Sequence, residues 1–229
     1  MRILFVAATE AEVGGLKSEI RNQRSEVRNQ KSALELSKSE IEHSKSEILI
    51  TGVGMVATAF ALGRHLAMNK YDLIVNLGIA GSFDTNIALG DVLEIAADTF
   101  AELGAEDDNE FLSIEKLGFG KSTYYPNTKI SNLYNLFNTF NLKTVNAITV
   151  NSVHGNEASI KKVMDRLNPQ LESMEGAAFF CACKEVNAPC LQIRAVSNYV
   201  ERRNRDNWNI GLAIKNLNTF AVEFLKLYS

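Results

Sequence analysis

The sequence predicts an α/β fold: a single domain over residues 1–229, built as a three-layer α/β/α arrangement around a central mixed sheet. Two patterns carry this. Short apolar runs alternate with longer stretches of helical periodicity, the order expected when helices cover both faces of a sheet. Glycines and polar residues gather where the apolar runs end, as they do when strands carry a ligand site at their carboxyl ends. At 229 residues, 46% of them hydrophobic, the chain can bury a full core.

The elements follow in order. Residues 2–8 (RILFVAA) open the fold as a strand, and the acidic residue straight after the apolar run argues against a signal peptide. Residues 47–54 (EILITGVG) are a strand ending in glycines, and 55–69 (MVATAFALGRHLAMN) an apolar helix. Residues 72–82 (DLIVNLGIAGS) are again a strand running into a glycine turn, followed by 90–100 (GDVLEIAADTF). Residues 143–152, 169–174 and 189–197 are further strands, and 207–228 have helical periodicity to the end of the pattern.

Residues 18–45 depart from this alternation. They form four tandem heptads, SEIRNQR, SEVRNQK, SALELSK and SEIEHSK, with an aliphatic residue at the third position of each, Ile20, Val27, Leu34 and Ile41. A coiled coil needs two apolar positions per heptad, so this seam is weak. The composition favours helix. A repeat-expanded surface helix inserted into the domain is expected; a partner-binding or oligomerisation arm is the alternative.

Composition excludes several classes. A net charge of −3 gives no basic footprint for nucleic acid. No apolar run reaches the length of a membrane span. The three cysteines, Cys181, Cys183 and Cys190, lie in apolar surroundings and read as reduced thiols of a cytoplasmic protein. His43, His65 and His154 are scattered, which argues against a metal site.

Four polar residues stand at strand ends. Glu12 follows the first strand; desolvated, it is a base toward water, and solvated, only a first-turn helix residue. Glu175 precedes the helical run GAAFFCAC, where a carboxylate grips a vicinal diol or caps the helix. Arg194 lies within an apolar strand, so it must be paired, with Glu175 or Glu12 the natural partners. Asn198 ends that strand with both a donor and an acceptor. GVGM (52–55) and GIAGSF (78–83) are glycine turns that let backbone approach a ligand.

The order TEAE (9–12), TGVGM (51–55), GIAGSF-x₆-GD (78–91), SMEGAA (173–178) and RAVSN (194–198) resembles the nucleoside phosphorylase/nucleosidase superfamily. It is most similar to the hydrolytic nucleosidases, such as methylthioadenosine/S-adenosylhomocysteine nucleosidase, and among these to the futalosine hydrolases. NSVHG (151–155), ESMEGAAFF (172–180) and RAVSNYVERRNRDNWN (194–209) carry the closer likeness. The resemblance covers residues 1–13 and 47–229.

The resemblance implies a nucleoside phosphorylase-like fold and hydrolysis of an N-glycosidic bond, with water as nucleophile and no metal or organic cofactor. By the same likeness Glu12 activates the water, Glu175 holds the ribose hydroxyls, Met174 packs under the sugar and Arg194 places the water and Glu12. Gly81 offers a backbone contact near sugar and base, and Val153 lines the purine. Two departures matter. Adenine-specific relatives have Asp where this chain has Asn198, and an amide instead donates to the O6 of a 6-oxopurine. Methylthioadenosine relatives have Ser where this chain has Ile79. Futalosine carries a benzoate, for which Arg203, in the run 201–206, is a candidate partner; a solvated loop with internal ion pairs is the other reading. The implied reaction releases hypoxanthine and dehypoxanthine futalosine, in menaquinone biosynthesis. A purine nucleoside phosphorylase, a methylthioadenosine nucleosidase and a non-catalytic nucleoside binder are the alternatives. The implied assembly is a homo-oligomer, a dimer or larger, acting in the cytoplasm without nucleic acid or membrane partners.

Overall fold

The computed structural model describes residues 1–31, 46–108, 110–127 and 140–228. The strands are β1 (Ile3–Ala7), β2 (Glu47–Ile50), β3 (Leu73–Ser82), β4 (Val92–Phe100), β5 (Gly104–Asp107), β6 (Glu110–Ser113), β7 (Thr123–Tyr124), β8 (Thr144–Thr149), β9 (Leu171–Ser173) and β10 (Cys190–Tyr199). The helices are α1 (Gly14–Lys31), α2 (Met55–Met68), α3 (Glu157–Leu167), α4 (Gly176–Glu185) and α5 (Ile210–Tyr228).

Every residue of β1 is buried. It lies parallel to β2 on one side and β3 on the other, and a strand covered on both faces is apolar throughout rather than alternately. β3 is the axis of the sheet. β10 runs parallel to it from Ile74 to Ser82. On its other edge β3 takes β1 along the first half and β9 at Gly81 and Ser82. β4 and β8 link β10 to β9. The mixed sheet therefore closes on itself through β10, β4, β8, β9 and β3, with β1 and β2 extending from β3.

Alternate residues of the strands feed two cores. Phe5, Leu77 and Ile193 pack with Leu16 and Ile20 of α1 and Leu217, Phe220 and Phe224 of α5. Leu4, Val6 and Ile74 pack with Leu62 and Leu66 of α2 and Phe179 and Phe180 of α4. These are the layers the alternation predicted, with helices on both sides of the sheet.

Two local expectations change. The first two heptads belong to α1, whose start is part of the core: Ile20 is buried beside Leu16. The later heptads, residues 32–45, lie outside the described residues. GIAGSF does not turn. Residues 78–82 continue β3 because β10 pairs along one edge and β9 joins the other, and this pairing outweighs the turn preference of glycine. All three cysteines are free thiols, with Cys183 and Cys190 buried. Among the described residues no helix is long and apolar enough to cross a membrane.

Candidate active site

Glu12 stands in a short 3-10 turn, Glu10–Val13, between β1 and α1. The turn is pinned from below by Asn218 of α5, which donates to the Glu12 carbonyl at 2.9 Å and accepts from the Leu16 N–H at 3.0 Å. The Glu12 carboxylate is buried. Its Oε2 accepts from the Thr9 N–H at 2.9 Å and the Thr9 hydroxyl at 3.0 Å, and its Oε1 faces the Ile79 N–H at 3.3 Å. A carboxylate has about four acceptor positions, so these three donors fix the group and leave capacity for a proton taken from water.

Glu175 immediately precedes α4, yet its side chain makes no capping bond to that helix. Instead Oε1 accepts from the Gly54 N–H at 2.9 Å and Oε2 from the Met174 N–H at 3.3 Å. The Gly54 contact depends on backbone that only glycine adopts freely, since Gly52 and Gly54 have φ of 88° and 97°. The capping reading of Glu175 is thus set aside by the geometry. Burial pushes its pKa up, against the nearby Arg194 and the Gly54 N–H, which lower it.

Arg194 is buried in β10, with 2% exposure. It was expected to pair with Glu175 or Glu12. It forms no direct ion pair with either; its Nη2 donates to Asn76 Oδ1 at 2.6 Å and its Nη1 to its neighbour's carbonyl at 3.4 Å. A neutral amide in β3 takes the direct bond, while Glu175, Asp98 and Glu12 act on the guanidinium through space, opposing the burial that lowers its pKa. Its Nε has no protein partner. Gly78 allows the convergence: a Cβ there would lie 2.6 Å from Arg194 Nη1 and 3.2 Å from Glu12 Oε1.

Beneath α4 lies a polar cluster that sequence reasoning missed. Asp98, fully buried on β4, accepts from the Thr149 hydroxyl at 2.8 Å and from Gln192 Nε2 at 2.9 Å. Thr149 in turn accepts from the Ala177 N–H at 2.7 Å, in the first turn of α4. Burial raises the Asp98 pKa to about 6, against the Gln192, Thr149 and Arg194 contacts that lower it. The cluster holds the helix start that follows Glu175. Its members come from three strands and share no motif, so only the pairing of β4 with β8 and β10 could reveal it.

Asn198 lies further along β10. A register shift leaves Ser197 unpaired, so that Asn198 faces Gly81 rather than Ser82. Its Oδ1 accepts from the Ser197 hydroxyl at 2.8 Å and its Nδ2 donates to the Tyr199 carbonyl at 3.0 Å. Across β3 the same Gly81 pairs with Glu172. Glu172 was read only as part of a strand, but its buried carboxylate accepts from the His154 N–H at 3.0 Å and meets the His154 ring Nδ1 at 2.6 Å. That contact locks the NSVHG turn.

The remaining residues divide. Ile79 contributes its backbone N–H to Glu12, while its side chain packs on the core. Met174 is half-buried beside Glu175, and Val153 is 40% exposed on the turn. Arg203 is exposed; its N–H donates to the Gly155 carbonyl at 3.2 Å and its guanidinium lies 5.1 Å from the centre of the Trp208 ring. It therefore stands beside the NSVHG turn.

The closed mixed sheet thus gathers two buried carboxylates, Glu12 and Glu175, near Arg194 of β10, with an amide, Asn198, further along that strand. The chain matches the phosphorylase superfamily over residues 2–227 and belongs to it. Within that superfamily its place is among the futalosine hydrolases: it is 33% identical to the one from Streptomyces coelicolor over 173 residues, 73% of each chain. It is 27% identical to the one from Thermus thermophilus over 171 residues, 74% of this chain and 76% of that one. In fold it is similar to the methylthioadenosine/S-adenosylhomocysteine nucleosidase from Colwellia psychrerythraea, solved in complex with adenine. The TM-score is 0.75 at 20% identity, over 99% of this chain and 95% of that one.

Proposed function

We propose that the protein hydrolyses the N-glycosidic bond of futalosine, releasing hypoxanthine and dehypoxanthine futalosine, in menaquinone biosynthesis. The observation that carries this is the convergence of Glu12 and Arg194 on the bare face of Gly78, with Glu175 acting on Arg194 through space and Asn198 standing further along the same strand as Arg194. The futalosine hydrolase relatives supply the substrate.

The C1′–N9 bond lengthens toward an oxocarbenium-like state. Glu12, held by Thr9 and Ile79, takes a proton from water as it attacks. Glu175, already fixed by two backbone N–H groups, accepts from the ribose hydroxyls and contributes by positioning. Arg194 holds the field between the two carboxylates, and Met174 lies against the sugar. Asn198 gives up one local bond, donates to O6 and accepts from N7–H as hypoxanthine leaves. Gly81 lets the base approach the strand, and Val153 covers it from the turn. A cationic side chain, Arg203, serves the benzoate.

The protein acts in the cytoplasm as a homo-oligomer. An apolar face on α2 supports the assembly: Val56 is 78% and Phe60 69% exposed, and both line a groove of about 520 Å³ with Met55, Leu103 and Ala178.

The test is a side-by-side assay of futalosine, inosine and methylthioadenosine without phosphate, scoring free base. Release of hypoxanthine, fastest from futalosine, is expected. A requirement for phosphate, a preference for methylthioadenosine or no turnover of any nucleoside would sink the reading.

A further inference from the structure

We propose that Glu172 and His154 read the N1 edge of the base, selecting a 6-oxopurine over a 6-aminopurine. This rests on the nucleosidase reading above and deepens it.

Gly81 pairs with Asn198 on one edge and Glu172 on the other, and cross-strand partners project from the same face of a sheet. A Cβ at Gly81 would lie 3.0 Å from Val200 Cγ2, 3.1 Å from Asn198 Nδ2 and 3.6 Å from Glu172 Cγ. Only a residue without a side chain lets the amide and the carboxylate approach the same point of β3 from its two edges. The Glu172 side chain is 3% exposed, and both its oxygens are committed to His154. Tying down a loop needs no buried carboxylate, and burying one is costly.

The contact also sets the tautomer. An ionised carboxylate has no proton to give, so His154 Nδ1 must carry it. Nε2 of the neutral ring is then an acceptor. Phe83 meets the ring at a centroid distance of 6.1 Å and an angle of 63°, and the His154 side chain retains 14% exposure. A 6-oxopurine presents an N1–H donor beside the O6 acceptor; a 6-aminopurine presents an N1 acceptor beside an amino donor. Asn198 donating to O6 and His154 accepting from N1–H match the first at two adjacent atoms. Both would face the second with the wrong partner, and unpaired polar groups in a site are the strongest source of such discrimination.

Glu172→Gln reverses the device. The amide oxygen keeps the His154 N–H, and the NH₂ group turns to Nδ1, which must become an acceptor. The ring proton moves to Nε2, and the acceptor presented to N1 becomes a donor. The readout is the ratio of kcat/KM for futalosine to that for its 6-amino analogue in wild-type and variant protein, with thermal melting to confirm folding. The ratio is expected to fall about 10- to 100-fold in Glu172→Gln, the loss of one buried hydrogen bond. His154→Phe, which retains a ring against Phe83, should narrow the ratio by less, since it neither accepts nor donates. Equal losses for both substrates in both variants would overturn the proposal and leave the pair as a loop clamp. Failure of the underlying reading would show separately, as a wild-type enzyme that prefers the 6-amino analogue or cleaves neither it nor futalosine.

Discussion

Around Arg194 the site is made of buried charges held by backbone N–H groups and neutral amides, with Asn76, Gly54, Thr9 and Ile79 as the supports. Around Asn198 it is made of a neutral amide and a carboxylate–imidazole pair beside a loop. The first region has little freedom: the carboxylates are fixed by donors and the guanidinium by an acceptor, and exchanging either kind of support would leave a buried group unpaired. The second can be rewritten by moving a single proton or swapping an acid for an amide. On the proposed reading, the first region supplies the chemistry and the second the choice of base. Damage to the first should therefore slow every substrate, and damage to the second should change their order.

The largest test of that division is Glu12→Gln. As general base, its loss should cost about 10²–10⁴-fold in kcat, equally for futalosine and inosine, with their relative rates unchanged. An amide also puts a donor where Thr9 and Ile79 already donate, so melting must accompany the rates. A folded Glu12→Gln enzyme with near-normal turnover would end the assignment.

Much of the first region could be read from the chain. Glu12, Glu175 and Arg194 each follow or interrupt an apolar run, and such runs become strands whose ends line a site. Their partners could not be read. Asn76 sits inside a run that looked wholly structural, and Thr149 and Asp98 are far apart in sequence. Arg194 was expected to find a carboxylate, because a buried guanidinium needs compensation; it found an amide, and its compensation acts through space. The second region was hidden by register. Ser197 had no signal as an unpaired residue, and without that shift Asn198 would face Ser82, away from Glu172. Glycines 78 and 81 read as a turn that lets backbone approach a ligand; they lie instead within β3, where the missing side chains make room for Arg194 and Asn198.

A middle-sized effect belongs to Asp98, which supports the first region without touching its bare floor. Its pKa rises from 3.8 to about 6 in the fold. Between these values the folded protein holds a proton that the unfolded chain has released, so stability falls as pH rises from about 4 to about 6. Above that range the charged form carries a penalty on the order of 1–3 kcal/mol. Asp98→Asn removes the titration, and Gln192 can meet the new amide with its Oε1, which is buried without a partner. The variant should show a flatter stability curve from pH 4 to 6, measured by urea unfolding, and should match or exceed wild type at pH 7.5. A curve parallel to wild type would show that Asp98 is not the titrating group.

The smallest effect, and the sharpest test of where the two regions end, is Arg203→Ala. Its guanidinium is exposed and lies over Trp208, and its backbone is joined to Gly155, on the Asn198 side of the site. An exposed cation contributes little to binding, about 2- to 5-fold. If it contacts the benzoate, KM should rise by that factor for futalosine and not for inosine, which lacks the benzoate, and added salt should shrink the difference. An equal change for both substrates would make Arg203 a support of the NSVHG turn, acting through Gly155. The benzoate would then need a cation from elsewhere.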